Sequence, residues 1–143
     1  MDDAIYRQIV DGSPDAIVLG DKDGVIRLWN AGAEAIFGFT AEEALGKSMD
    51  LIIPERLRAR HWDGYGKVMK TGVSRYGKGD LLAVPAITKD GRSISIEFTI
   101  QMLRDASGGI LGPLAVLRDV TKRFQREKDL ARRVKELEAK VKG

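Results

Sequence analysis

From the amino end, the apolar residues Ile5, Ile9 and Val10 recur at helical spacing within residues 2–11 and stop at Gly12-Ser13-Pro14, which predicts a short amphipathic helix. Two apolar runs, Asp15 to Leu19 and Val25 to Trp29, flank Gly20-Asp21-Lys22-Asp23-Gly24, whose Asp-Gly step supplies the positive φ of a hairpin turn. Asn30 then stands as an N-cap before Ala31-Gly32-Ala33-Glu34-Ala35-Ile36-Phe37, and Thr40-Ala41-Glu42-Glu43 reads as a capping box with Gly46 as the stop, so two very short helices follow. Met49 to Ile53 is an apolar run closed by Pro54. After it, Glu55 to Lys70 lacks Pro and carries Leu57, His61 or Trp62, Tyr65, Val68 and Met69 near helical spacing, ending at Gly72, which predicts the longest helix of the middle of the chain.

The last third changes period. Leu81 to Thr88, Ser93 to Met102 and Ile110 to Val116 are strand-like, separated by the turn clusters Lys89-Asp90-Gly91-Arg92 and Asp105-Ala106-Ser107-Gly108-Gly109. Ser93 to Met102 alternates without a break, so one face is core and the other mostly wet. Pro85 implies a local bulge or a position whose missing N–H faces outward. From Thr121 to Lys142 there is neither Gly nor Pro, and Leu130, Val134, Leu137 and Val141 are spaced four, three and four apart, the seam of a short coiled coil. The pattern divides the chain into an N-terminal helix (1–12), an α+β core (13–120) and a C-terminal helix (121–143).

Composition narrows the chemistry more than it names it. The chain has 143 residues, 43% hydrophobic and 31% charged, enough for one ordinary domain with one core. No stretch approaches the roughly 20 apolar residues of a membrane span, and Met1-Asp2-Asp3-Ala4 does not open a secretory signal, so a soluble cytoplasmic protein is expected. The absence of cysteine closes thiol, disulfide and thiolate-metal chemistry, and one histidine cannot build a multi-histidine metal cluster. Ten Lys/Arg against five Asp/Glu between Arg118 and Gly143 more than account for the net charge of +3. The basic excess therefore belongs to a tail interleaved with acids, a solvated dimer helix and not a nucleic-acid surface.

Ordered motifs then point to a family. Asp15-Ala16-Ile17-Val18, Asp23-Gly24-Val25-Ile26, Trp29-Asn30-Ala31-Gly32-Ala33-Glu34 and Phe37-Gly38-Phe39-Thr40 through Gly46-Lys47 resemble the N-terminal half of the PAS sensor domain family of bacterial sensory-box type. Lys89-Asp90-Gly91 before a strand resembles its C-terminal half, and Arg118-Asp119-Val120-Thr121 resembles its Asp-Ile/Val-Thr junction between the last strand and the output helix. The resemblance spans roughly residues 5–123 and implies a five-stranded antiparallel sheet in order 2-1-5-4-3, with helices over one face enclosing a pocket.

What the resemblance implies for function is a signal-transduction sensor without catalytic residues: a homodimer serving a linked or partner effector domain, with no nucleic acid and no membrane partner. In the oxygen-sensing haem branch of the family, the long middle helix carries its proximal histidine in a His-Asp-Gly-Tyr pattern. Here Trp62 stands before Asp63-Gly64-Tyr65 and His61 falls one place earlier, about 100° around the helix, so haem ligation by His61 is disfavoured and kept as the alternative. The flavin branch needs a cysteine for its photoadduct, which this chain lacks; the cofactor is otherwise left open. A ligand-free dimerisation domain is the other alternative.

Helical spacing places Trp62, Tyr65 and Met69 on one face, and strand alternation places Leu82, Val84, Ile96, Phe98 and Ile100 opposite them. These eight residues are the expected lining of a site for an apolar or aromatic small molecule, with the Trp62 indole and Tyr65 hydroxyl supplying polar contacts. Asp119 and Thr121 are the expected signalling junction, with Leu130, Val134, Leu137 and Val141 as the dimer helix. The N-terminal helix is expected to support the dimer against the outer sheet face. Tyr76-Gly77-Lys78-Gly79-Asp80 reads as an entry into the next strand, lacking the phosphate-loop pattern. No Gly-x-Ser-x-Gly context accompanies His61.

Overall fold

The computed structural model describes residues 2–72 and 82–142. Helix α1 (Asp3–Gly12) precedes strands β1 (Ala16–Gly20) and β2 (Ile26–Trp29), helices α2 (Ala31–Phe37) and α3 (Ala41–Ala44), and two 3₁₀ turns, Met49–Ile52 and Glu55–Leu57. Helix α4 (Arg58–Thr71), strands β3 (Leu82–Ile87), β4 (Ser93–Arg104) and β5 (Ile110–Asp119), and helix α5 (Thr121–Lys142) complete the chain. The strands form one antiparallel sheet in order β2-β1-β5-β4-β3.

Local chemistry sets the first half. In the β1–β2 turn, Asp21 Oδ1 accepts from the N–H groups of Asp23 (2.8 Å) and Val25 (3.0 Å), Oδ2 pairs with Arg27 (2.8 Å), and Gly24 takes φ +78°. Burial alone would raise the Asp21 carboxyl, but these donors hold it below its ordinary value. Thr40 and Glu43 form a reciprocal capping box on α3. Asn30 is buried and uses its whole side chain: Oδ1 accepts from Ile17 N–H (2.8 Å) and Ala33 N–H (2.9 Å), while Nδ2 donates to the carbonyls of Val10 (2.8 Å) and Asp15 (3.0 Å). One amide thereby joins the end of α1, the start of β1 and the start of α2.

The core lies between the inner sheet face and the short helices. Ala16 and Val18 of β1, Leu117 of β5, Ile94 and Ile96 of β4 and Ala86 of β3 are buried together with Phe37, Ala44 and Ile52. Trp29 stacks on Phe37 with centroids 5.5 Å apart and donates its indole N–H to Phe39 O at 2.9 Å.

Some boundaries differ from the sequence pattern. The long middle helix begins at Arg58, because Glu55–Leu57 close as a 3₁₀ turn after Pro54. The Met49–Ile53 run is a 3₁₀ turn over Met49–Ile52, capped by Ser48. Strand β5 continues past Val116 to Asp119, since it is the central strand and finds partners on both sides: Leu117 opposes Ala16 and Phe98, and Arg118 opposes Glu97. Pro85 pairs opposite Ser95 without a register shift on an edge strand, so its missing N–H faces outward and no bulge is needed.

Candidate functional site

Strand β4 runs from a closed to an open end of the inner face. Ile94 and Ile96 are each 4% exposed, whereas Phe98, Ile100 and Met102, further along the same face, are only half-buried. Opposite them on β5, Pro113 and Ala115 are half-buried while Leu117 is buried. Apolar side chains on the core side of a sheet are ordinarily covered, so this end of the inner face is incompletely filled by the described residues.

Helix α4 borders that end. None of its residues is fully buried; His61, Trp62, Tyr65, Val68 and Met69 are half-buried. It is attached through specific bonds more than through packing. The Trp62 indole donates to Asp50 Oδ1 at 2.7 Å, the Tyr65 hydroxyl donates to Asp21 O, and Arg58 donates to the carbonyls of Ile53 (3.1 Å) and Asp50 (3.3 Å). Two glycines make the seats for the rings: a Cβ on Gly24 would lie 2.1 Å from the Trp62 ring, and one on Gly20 would lie 2.6 Å from the Tyr65 hydroxyl. Burial, then the charges of Asp21 and Asp23, push the Tyr65 hydroxyl well above its usual titration range, so it stays a donor.

The expected site residues thus fall into two groups. Trp62 and Tyr65, with ring centroids 5.2 Å apart, sit on the β1–β2 turn, while Val84, Ile96 and Phe98 belong to the core against the sheet. Ile100 extends the second group toward the open end by register. The Leu82 side chain and the Tyr76–Asp80 segment lie outside the described residues. The polar ends of Trp62 and Tyr65, expected to face a ligand, are engaged by Asp50 and Asp21 of the same chain. They therefore fix the position of α4.

His61 is partly exposed beside the Trp62 and Tyr65 rings. Its ring is half-buried, 4.8 Å from Trp62 and 5.7 Å from Tyr65, and its Nδ1 is buried without a hydrogen-bond partner. Burial holds its pKa below the ordinary value, against the smaller opposing pull of Asp50. Among the described residues no cluster of His, Asp and Glu could hold a metal ion.

At the far end of β4 the core meets α5. Asp119 Oδ1 accepts from Thr121 N–H (2.9 Å) and from the Thr121 hydroxyl (2.5 Å); the same hydroxyl oxygen accepts from Ser95 N–H (3.0 Å). Val120 N–H donates to Ser95 O at 2.8 Å, and Arg123 pairs with Glu97. Sequence reading anticipated Asp119 and Thr121 but not Ser95 or Glu97, because two polar residues on the wet face of an alternating strand carry no signal of their own. The Asn30 hub was visible only as an N-cap, and the Gly20 and Gly24 seats only as turn residues.

A sheet of this order, a cluster of short helices over one face and a polar joint from the last strand into a terminal helix define an α+β module of one five-stranded antiparallel sheet with an appended helix. The PAS fold family matches residues 10–125, and the chain belongs to that family. It is 30% identical over 119 residues to the sensor protein FixL of Bradyrhizobium diazoefficiens, covering 83% of this chain and 23% of that protein. It is 28% identical over 145 residues to the cell-division control histidine kinase PdhS of Brucella abortus, covering 92% of this chain and 12% of the kinase. The PAS domain of a Colwellia psychrerythraea protein superposes with a TM-score of 0.71 at 24% identity, over 83% of this chain and 97% of that one. The chain spans less than a quarter of the length of these curated relatives. No described helix is long and apolar enough to cross a membrane.

Proposed function

We propose that this chain is the sensory module of a cytoplasmic signal-transduction protein, binding an apolar or aromatic small molecule between α4 and the open end of the inner sheet face. The observation that carries the reading is the fall in burial along one face of β4, from Ile94 and Ile96 to Phe98, Ile100 and Met102, beside a helix with no fully buried residue. Binding there favours one position of α4 and β4 over another, and the Asp119–Thr121 joint passes the difference to α5 in a homodimer. The module has no catalytic role; an effector domain, linked or recruited, performs the output.

Native mass spectrometry of freshly purified protein tests the ligand. The expected result is a bound apolar molecule that is lost in Ile100→Trp, where the added ring fills the open end. A chain that flies bare, and whose Ile100→Trp variant folds with unchanged or improved stability and binds no less of an apolar fluorescent probe, refutes a ligand site and leaves a dimerisation domain. A Soret band abolished by His61→Ala would assign the site to haem instead.

A further inference from the structure

One guanidinium stands where the open end of the inner sheet face meets solvent. Strand alternation carries the inner row Phe98, Ile100 and Met102 on to Arg104, the last residue of β4. The Arg104 side chain lies against the end of α4: a Cβ on Gly72, the residue that stops the helix, would be 2.7 Å from Arg104 Nη2 and 3.0 Å from Ile110 Cδ1. On its other side Nη1 donates to the Gly108 carbonyl in the β4–β5 turn at 3.0 Å. Helix α4 thus crosses the open end from the β1–β2 turn, where Trp62 and Tyr65 are seated, to Arg104 and Ile110.

No carboxylate of the chain answers this charge. Among the described residues Arg104 has no ion pair, and the bond to Gly108 is its one hydrogen bond. The neighbouring Asp105 is committed to its own turn: Oδ1 accepts from Ser107 N–H (3.0 Å), the Ser107 hydroxyl (2.7 Å) and Gly109 N–H (2.8 Å). Lys70, in the last turn of α4, adds a second positive charge near the same rim. A cation beside the last carbonyls of a helix is favourable in itself, but a guanidinium has five N–H donors in a planar fork, and a carboxylate is the group that fork fits.

Resting on the ligand site proposed above, we infer that its occupant is an extended alkyl carboxylate, the chain laid along Phe98, Ile100 and Met102 and the carboxylate on Arg104. The shape of the open end favours a chain over a ring system. Across from Ile100 and Met102 stand the short side chains of Ala115 and Pro113, so the uncovered apolar surface runs lengthwise along the strands. From Phe98 to Arg104 it covers roughly 20 Å. The gradient of burial sets the direction: Ile96 and Leu117 close the inner end, Phe98, Ile100 and Met102 are half-buried, and Arg104 is exposed. The tail therefore points toward Ile96 and the head stays at the rim, where a carboxylate keeps part of its hydration and its desolvation cost is small.

Displacement of the neutral fluorescent dye phenylnaphthylamine by decanoate and by decanol at neutral pH separates the head from the tail. Both should displace the dye from the parent chain. Arg104→Gln should weaken decanoate about five- to tenfold, the contribution of one charge-assisted pair at a partly hydrated rim, while decanol changes by less than about twofold. Arg104→Lys should recover part of the decanoate affinity, since it restores the charge without the fork. If Arg104→Gln binds decanoate as tightly as the parent, or weakens acid and alcohol alike, Arg104 only holds the end of α4 and the carboxylate assignment is overturned while the apolar site stands. If the dye does not bind, or neither decanoate nor decanol displaces it, the site itself fails and the inference falls with it.

Discussion

Asn30→Ala is expected to be among the most damaging single truncations in the protein. The side chain is 2% exposed and satisfies all four of its hydrogen-bonding positions, each with a backbone group of a different neighbour. Loss of the N-cap bond to Ala33 costs about 0.5–2 kcal/mol. Stranding the Ile17 N–H and the Val10 and Asp15 carbonyls costs about 1–3 kcal/mol each where water cannot reach them. Water entering beside the end of α1 relieves part of this, so we expect a total loss of about 3–5 kcal/mol, at the top of the usual range for point substitutions. Asn30→Asp keeps the two accepted bonds but points a carboxylate oxygen at two carbonyls. It should cost about 2–4 kcal/mol at neutral pH, and less in acid, where the protonated carboxyl can donate one bond. Urea unfolding followed by the fluorescence of buried Trp29 measures both. If Asn30→Ala stays within about 1 kcal/mol of the parent with an unchanged urea dependence, the hub does not hold the fold together.

Three further expectations follow from local geometry. Gly24→Ala should lose at least about 2 kcal/mol, because it adds a Cβ against the Trp62 ring to the roughly 1–2 kcal/mol of a left-handed alanine; Gly91→Ala has φ +83° but open space, and should cost only the backbone part, so equal losses would deny that Trp62 is seated on Gly24. For His61, the unfolded chain takes up a proton near pH 6.5 while burial keeps the folded imidazole neutral to lower pH. Stability should therefore fall as pH drops below about 6.5 and level off once the folded ring is protonated too; identical urea midpoints for the parent and His61→Gln between pH 7.5 and 5.5 would contradict this. Thr121→Val removes both the bond to Asp119 and the one from Ser95, and should increase hydrogen exchange in the first turn of α5 by roughly five- to thirtyfold, the equivalent of about 1–2 kcal/mol. Thr121→Ser should not, and a Val variant with parental protection would make the joint a mere connection.

Strand alternation and the punctuation of Gly, Pro and Asn made the individual strands and helix starts legible, because each signal is local: Ser93 to Met102 declares its two faces, and Thr40 with Glu43 declares a helix start; the strand order came from the family resemblance, which the structure bears out. Boundaries failed where tertiary partners decide. Strand β5 runs to Asp119 because β1 and β4 offer partners that its own polar residues do not advertise. The site was half legible for the same reason. Periodicity placed Trp62 and Tyr65 together, but the partners that orient them, Asp50 twelve residues before the one and the Asp21 carbonyl forty-four before the other, are set by the fold. His61, one position before Trp62, is half-buried against both rings, a contact that helical spacing alone does not specify.

The arrangement of polar groups along β4 bears on how a change in the core would reach α5. Inner-face Ile96 and Phe98 alternate with outer-face Ser95 and Glu97, and those two outer residues are the ones that hold the start of α5: Ser95 through Thr121 and Val120, Glu97 through Arg123. A displacement of the inner side chains is therefore delivered to the helix joint within one residue of strand, without passing through α4. The Thr121 hydroxyl, donating to Asp119 and accepting from Ser95, couples the end of β5 to the start of β4, so relative sliding of these two strands must stretch one of its two bonds. Strand sliding and helix direction are thus mechanically linked at this joint, through Thr121, Val120 and Arg123 together. In the sensory reading proposed above, α4 admits the signal and β4 carries it.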